Sequence, residues 1–203
     1  MIFINWIRSK FLYKKVILNE SECKFIVNYI LENENKIKNL GPDIYGGTGE
    51  DSLTGRYPYF NYLNVPEINL IIVPKLKKIF SKLQLEYPIY IQCWANTYRY
   101  GDFIKPHKHS DCGSFISANL FLQGDICPGT SYYFNNKVEN EKIIKNKLGE
   151  FISFKSDLLH SVKPYNGKDV RITMAFDIHS RKSIISENLC DLKLNKNRFY
   201  KLK

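Results

Sequence analysis

Three of the four histidines in this chain, His107, His109 and His160, together with Asp111 and Arg171, have the types and spacing that could do chemistry. Along an extended strand successive side chains alternate in direction. His107 and His109 therefore share a face one pleat apart, near enough to hold one ion, and Asp111 has the same parity. A further ligand must come from elsewhere, and His160, following the turn-like Lys155-Ser156-Asp157, is placed to supply it. Imidazole sets of this kind suit Zn, Fe, Cu or Ni, and open positions beside them suit non-haem Fe(II). Two neighbouring histidines by themselves are more often surface hydrogen-bonding residues, so the conjunction with Arg171 matters. Arg171 lies in the apolar stretch Val170-Arg171-Ile172-Thr173-Met174-Ala175-Phe176. A guanidinium turned inward there demands a carboxylate, from a protein acid or from a ligand, because an unpaired buried charge is costly.

These residues need strands to position them, and the hydrophobic period supplies strands from Pro88 onward. Ile89, Ile91, Cys93, Ala95 and Thr97 fall on one face and Tyr90, Gln92, Trp94, Asn96 and Tyr98 on the other. Shorter strands are expected at Phe103 to Lys108, Ser114 to Leu122, Ser131 to Phe134, Glu150 to Phe154, Leu159 to Lys163 and Asp169 to Ile178, most of them separated by Gly or Pro. Many short strands of this kind predict a β-sandwich or rolled barrel with helices packed outside. The first part of the chain supplies those helices. After a short strand at Lys15 to Leu18, Asn19 and Glu22 have capping-box spacing and open a helix that carries Phe25, Ile26, Tyr29 and Ile30 and ends near Leu40. A loop rich in Gly, Pro, Asp and Tyr runs from Gly41 to Val65, and its tyrosines, from Tyr45 to Tyr62, are candidates for a lid or a substrate wall. A second amphipathic helix begins at Pro66 and is expected to kink at Pro74.

The 203 residues, 44% hydrophobic and 25% charged, suit one globular domain, 1–203: helices and loops in 1–87, a β core in 88–180 and a basic tail in 181–203. No apolar run approaches the roughly 20 residues that span a bilayer, so no membrane partner is expected. The apolar start precedes its charges and no small-x-small cleavage site follows, so no signal peptide is expected. Five cysteines without a CxxC pair point to a reducing compartment, and a cytoplasmic location is expected. The net charge of +10 would suit an anionic partner. Half of that excess lies in the tail from Arg181, which reads as solvated.

The stretch from Tyr98 through Gly101 and Pro106 to His109, followed by Ser117-Ala118-Asn119-Leu120-Phe121-Leu122, resembles the metal-binding half of the Fe(II)/2-oxoglutarate-dependent oxygenases. The resemblance is greatest to the prolyl hydroxylases and the small phage and bacterial oxygenases. Gly149 to Val162, with Arg171, resembles the second half, so the likeness covers roughly Gln92 to Ile178. It implies an α+β chain built on a double-stranded β-helix, or jelly roll, with the N-terminal helices outside and the metal at its mouth. It further implies that His107 and His160 bind Fe(II), that Arg171 binds the distal carboxylate of 2-oxoglutarate, and that Tyr98 hydrogen-bonds the same co-substrate. The usual middle ligand is an acid two residues after the first histidine, where this chain has His109. Either His107, His109 and His160 form the site, with Asp111 in reserve, or His109 and Asp111 are the pair and His107 stands behind them. The reaction implied is oxidative decarboxylation of 2-oxoglutarate to succinate coupled to hydroxylation of a substrate that the sequence does not name; neither does it give the oligomeric state.

Two rival readings stand beside this one. Gly101, His107 and His109 also resemble the first cupin motif, which implies a metalloenzyme not using 2-oxoglutarate, with Arg171 in a structural ion pair. The other rival is a basic nucleic-acid-binding β protein whose histidines are incidental.

Overall fold

The structure, a computed structural model, describes residues 12–42, 53–110, 113–125, 129–186 and 197–203. Among the described residues ten strands form two antiparallel sheets. The larger has the order β1 (Leu12–Val16), β7 (Glu150–Lys155), β4 (Ile116–Gln123), β9 (Arg171–Ser180), β2 (Ile89–Tyr98) and β10 (Tyr200–Leu202). The smaller has the order β3 (Ile104–His107), β8 (Leu159–Val162), β5 (Thr130–Tyr133) and β6 (Glu141–Ile144). The sheets meet through Tyr132 against Ile152 and Phe154, and through Tyr98 against Val162. This two-sheet jelly roll is the double-stranded β-helix implied by the sequence.

Two helices cover the outer face of the larger sheet. In α1 (Glu20–Lys38) the expected capping box is present: Asn19 Oδ1 accepts from Glu22 N–H at 2.9 Å, and Glu22 Oε2 accepts from Asn19 N–H at 3.0 Å. Its buried stripe runs through Cys23, Ile26, Val27, Ile30 and Ile37, whereas Phe25 is 44% exposed and lies off that stripe. The other helix, α2 (Pro66–Lys82), is assigned as one continuous segment through Pro74. Pro74 and Leu70 are both exposed, so the carbonyl that loses its donor is on the wet side. Ile68, Ile72, Leu76 and Phe80 of α2 pack with Ile89, Ile91, Cys93 and Ala95 of β2, which are the outward residues of its alternating pattern. Gln92, Trp94, Asn96 and Tyr98 are thereby turned into the roll.

Cross-strand register sets the depth of each inward residue. Opposite these β2 residues on β9 stand Asp177, Ala175, Thr173 and Arg171 in turn, and Ser117 of β4 pairs with Asp177 from the other side. Across the roll, His107 of β3 is the partner of His160 of β8.

The ends of the roll differ from the sequence expectation. The first strand lies a few residues before Lys15 to Leu18, and Glu141–Ile144 adds an unexpected edge strand. The tail expected to be solvated contributes a short helix, α3 (Arg181–Ser186), and then β10, which pairs with β2 and buries Phe199 and Leu202. Among the described residues no helix is long and apolar enough to cross a membrane.

Candidate metal centre and buried cation

His107 ends β3 and His160 lies in β8, held opposite one another by the ladder, with ring centroids 4.2 Å apart. His109 has left the strand; its backbone N–H donates to the Ser156 carbonyl at 2.8 Å, which turns its ring back toward the pair. The ligand-capable nitrogens of the three rings all fall within 4.8 Å of one another, with the Nε2 atoms of His107 and His109 3.1 Å apart. Asp111, the reserve ligand, lies outside the described residues.

The other ring nitrogens fix the tautomers. Nδ1 of His107 faces the Lys105 carbonyl at 2.9 Å, Nδ1 of His160 faces the Leu158 carbonyl at 3.0 Å, and Nδ1 of His109 faces Asp177 Oδ2 at 2.8 Å. Each of these oxygens can only accept, so each Nδ1 donates its proton and each Nε2 turns a lone pair inward. Two such lone pairs facing one another at 3.1 Å are suited to a shared cation, either a proton or a metal ion. Two nitrogens bound at about 2.1 Å and at right angles to one ion stand about 3.0 Å apart, so the donor set fits a metal.

The electrostatics are uneven across the three rings. Burial, and after it the neighbouring His109, push His107 down to about 4, and burial carries His160 well below the ordinary histidine value. Burial opposes charge on His109 as well, but Asp177 outweighs it and the pKa is raised. Burial should likewise raise Asp177, yet His109 and the Ser117 hydrogen bond hold its carboxyl below the usual range.

Asp177 is a cavity-lining residue that the sequence reading missed. It shares strand parity with Arg171, a signal too weak by itself to place it in the site. Ser117 Oγ donates to Asp177 Oδ1 at 2.6 Å, and Ser117 and Ser114 each bond Ser156 Oγ, at 2.9 and 2.6 Å. On its other side the His109 ring stacks with Trp94, centroids 5.8 Å apart and planes 24° apart.

Arg171 is turned into the roll, as expected, and is 1% exposed. Its guanidinium lies over the Tyr98 ring, 4.5 Å from the centroid, and Nη2 donates a long 3.4 Å bond to Asn146 Oδ1. Nε and Nη1 are buried and have no hydrogen-bond partner among the described residues. Donors of a buried cation are almost never left this way, so the guanidinium keeps donor capacity for an acceptor.

The three histidines and Arg171 line one cavity of about 280 Å³, with Thr173, Ala175 and Val162 among its walls. The tyrosines of the long loop part company. Tyr57 reaches the cavity and packs against Trp94 at 5.5 Å, Tyr62 is buried in the helix-side core, and Tyr45 lies outside the described residues.

No family profile and no curated protein matches the chain. Solved structures do. The chain is similar to a viral collagen prolyl hydroxylase of Paramecium Bursaria Chlorella virus-1, solved as a 2OG complex, with TM-score 0.62 and 16% identity over 85% of this chain and 97% of that one. It is similar also to a prolyl hydroxylase of Trichoplax adhaerens bound to a hypoxia inducible factor peptide fragment, with TM-score 0.61 and 14% identity over 92% and 91%. A Pseudomonas putida prolyl-4-hydroxylase gives TM-score 0.57 and 17% identity over 89% and 98%. At these identities the likeness is one of fold.

Proposed function

We propose that this chain is an Fe(II)- and 2-oxoglutarate-dependent oxygenase, a hydroxylase, in which His107, His109 and His160 hold the metal and Arg171 holds the distal carboxylate of 2-oxoglutarate. The observation that carries the reading is the buried Arg171 guanidinium, two of its nitrogens unpartnered among the described residues, in the same cavity as three inward Nε2 atoms. A cation kept there with no carboxylate beside it among the described residues is a cation suited to a ligand, and a dicarboxylate can reach both the guanidinium and a metal. The cupin reading requires a structural ion pair at Arg171, and the orphaned nitrogens speak against it.

The likeness in fold to prolyl hydroxylases supports the same reading. When bound, Fe(II) would supply dioxygen activation coupled to oxidative decarboxylation of 2-oxoglutarate to succinate, with hydroxylation of the substrate. The chain's own part is to hold, orient and exclude. Each ring keeps its proton on Nδ1 and donates it to the facing oxygen, which leaves Nε2 free to ligate. Tyr98, fully buried beside the guanidinium, closes the deep end and is positioned against the co-substrate, while Ala175 and Val162 keep water from the walls.

The test is succinate release from 2-oxoglutarate with Fe(II) and ascorbate, first without any added substrate. Slow uncoupled turnover that disappears in Arg171→Ala and in His160→Ala is expected. A metal-loaded chain that neither consumes nor binds 2-oxoglutarate would overturn the reading.

A further inference from the structure

We infer that Asp177 is a positioning residue of the metal centre: it fixes His109 in its ligating tautomer and brings, from behind the ring, the negative charge that a carboxylate ligand would otherwise supply. The inference rests on the three-histidine site proposed above and says how that site works without an acid among its ligands.

The acceptors behind the three rings are not equivalent. His107 and His160 donate to backbone carbonyls, which are neutral, and only His109 donates to a carboxylate. His109 also stands where the resembling family has its acidic ligand. Three neutral imidazoles leave a divalent ion uncompensated in a buried cavity, where charge is expensive. An anion hydrogen-bonded to the far nitrogen of one ligand offsets part of that charge and makes the imidazole a better donor.

Asp177 is built for this and not for direct ligation. Its Oδ2 is committed to His109 Nδ1, and it does not belong to the group of converging ligand atoms. Its Oδ1 is held by Ser117, which is in turn bonded to Ser156, and Ser156 accepts from Ser114. The carboxylate is buried, as are all three serines, so neither oxygen can swing to another partner. Trp94 stacked on the same ring removes the remaining freedom of the imidazole.

The experiment is Mn(II) affinity, read by the electron-spin resonance signal of the free ion, in a double-mutant cycle on the full chain. Asp177→Asn keeps an oxygen for His109 Nδ1 but removes the charge, and is expected to weaken Mn(II) binding about 10- to 100-fold. His109→Asp moves a carboxylate to the ligand itself; in that background Asp177→Asn should cause no loss of affinity. Ser117→Ala, which only loosens Asp177, should weaken binding by a smaller factor, with near-ultraviolet circular dichroism showing the fold intact. Equal losses from Asp177→Asn in both backgrounds would mean a merely structural role and would overturn the inference, as would wild-type affinity in Asp177→Asn. A wild-type chain that takes up no Mn(II), Co(II) or Zn(II) overturns the metal-site reading itself, and the inference with it.

Discussion

Tyr98 and Arg171 are direct partners across the β2 and β9 ladder, and the Arg171 guanidinium lies 4.5 Å from the centre of the Tyr98 ring. The aromatic face offsets only part of the desolvation of the cation, about 2 kcal/mol for a desolvated contact of this type. An unpaired buried charge is worth more than that in the destabilising direction. Arg171→Met should therefore raise stability without ligand by about 1–2 kcal/mol in urea unfolding. The same substitution should abolish the thermal shift that 2-oxoglutarate gives the Mn(II)-loaded wild type. A variant that loses stability would show that Arg171 serves the fold and not a ligand.

Trp94 provides an optical reading of the metal centre. The chain has two tryptophans, Trp6 and Trp94, and the Trp94 ring stacks on His109 at 5.8 Å. In a Trp6→Phe background, Co(II) bound by the three histidines should quench most of the remaining emission. Chelation should restore it. In His160→Ala the quenching should disappear at the same Co(II) concentration, because the His160 nitrogen is one of the three that converge. Undiminished emission on saturation with Co(II) would place the ion elsewhere.

Much of the arrangement was legible in the sequence because burial leaves a period. The alternation in β2 separated the helix-packed residues from the cavity-lining ones, and the pairing of His107 with His160 follows from strands that the period had located. Where backbone pairing alone holds an element, no period exists to read. Glu141–Ile144 is largely exposed and charged, and Tyr200–Leu202 lies among lysines, so both edge strands look like loop or tail. Asp177 escaped for another reason. A single acid near a strand end is ordinarily solvated, and only the fold reveals that His109, Ser117 and β2 enclose it. His109 reached the site by leaving the strand, not by the parity that first placed it there.

Gly124 guards the position of Arg171. Its φ is +105°, and a Cβ added there would come within 2.6 Å of Arg171 Cα and 3.2 Å of the Tyr165 hydroxyl. The conformation alone makes an L side chain strained, and the obstacle is backbone that cannot swing aside. Gly124→Ala should destabilise the chain by about 1–3 kcal/mol. It should raise the KM for 2-oxoglutarate by displacing the guanidinium, with Mn(II) affinity left near the wild-type value. If KM stays fixed while stability falls, Gly124 serves only the turn.

Glu34 ties the helical layer to the segment that leads into β3, and its charge should be visible in the pH dependence of stability. Its two oxygens accept from Arg99 Nη1 and Nη2 at 3.0 and 2.8 Å, and Lys38 Nζ lies 3.0 Å from Oε1. Burial acts to raise this carboxyl, but the hydrogen bonds from Arg99 and Lys38 outweigh it and hold the pKa below 4.5. A carboxylate depressed in the folded state contributes stability above its unfolded value, and the contribution is lost as pH falls through the folded one. The window therefore lies below 4.5. Glu34→Gln should be less stable than wild type at pH 7 by about 1–2 kcal/mol, less than a fully buried pair because Arg99 is half exposed. The two chains should converge as the pH is lowered beneath that window. Urea midpoints measured from pH 7 down to pH 3 check this, and a difference that stays constant across the range would show that packing, not charge, is what Glu34 supplies.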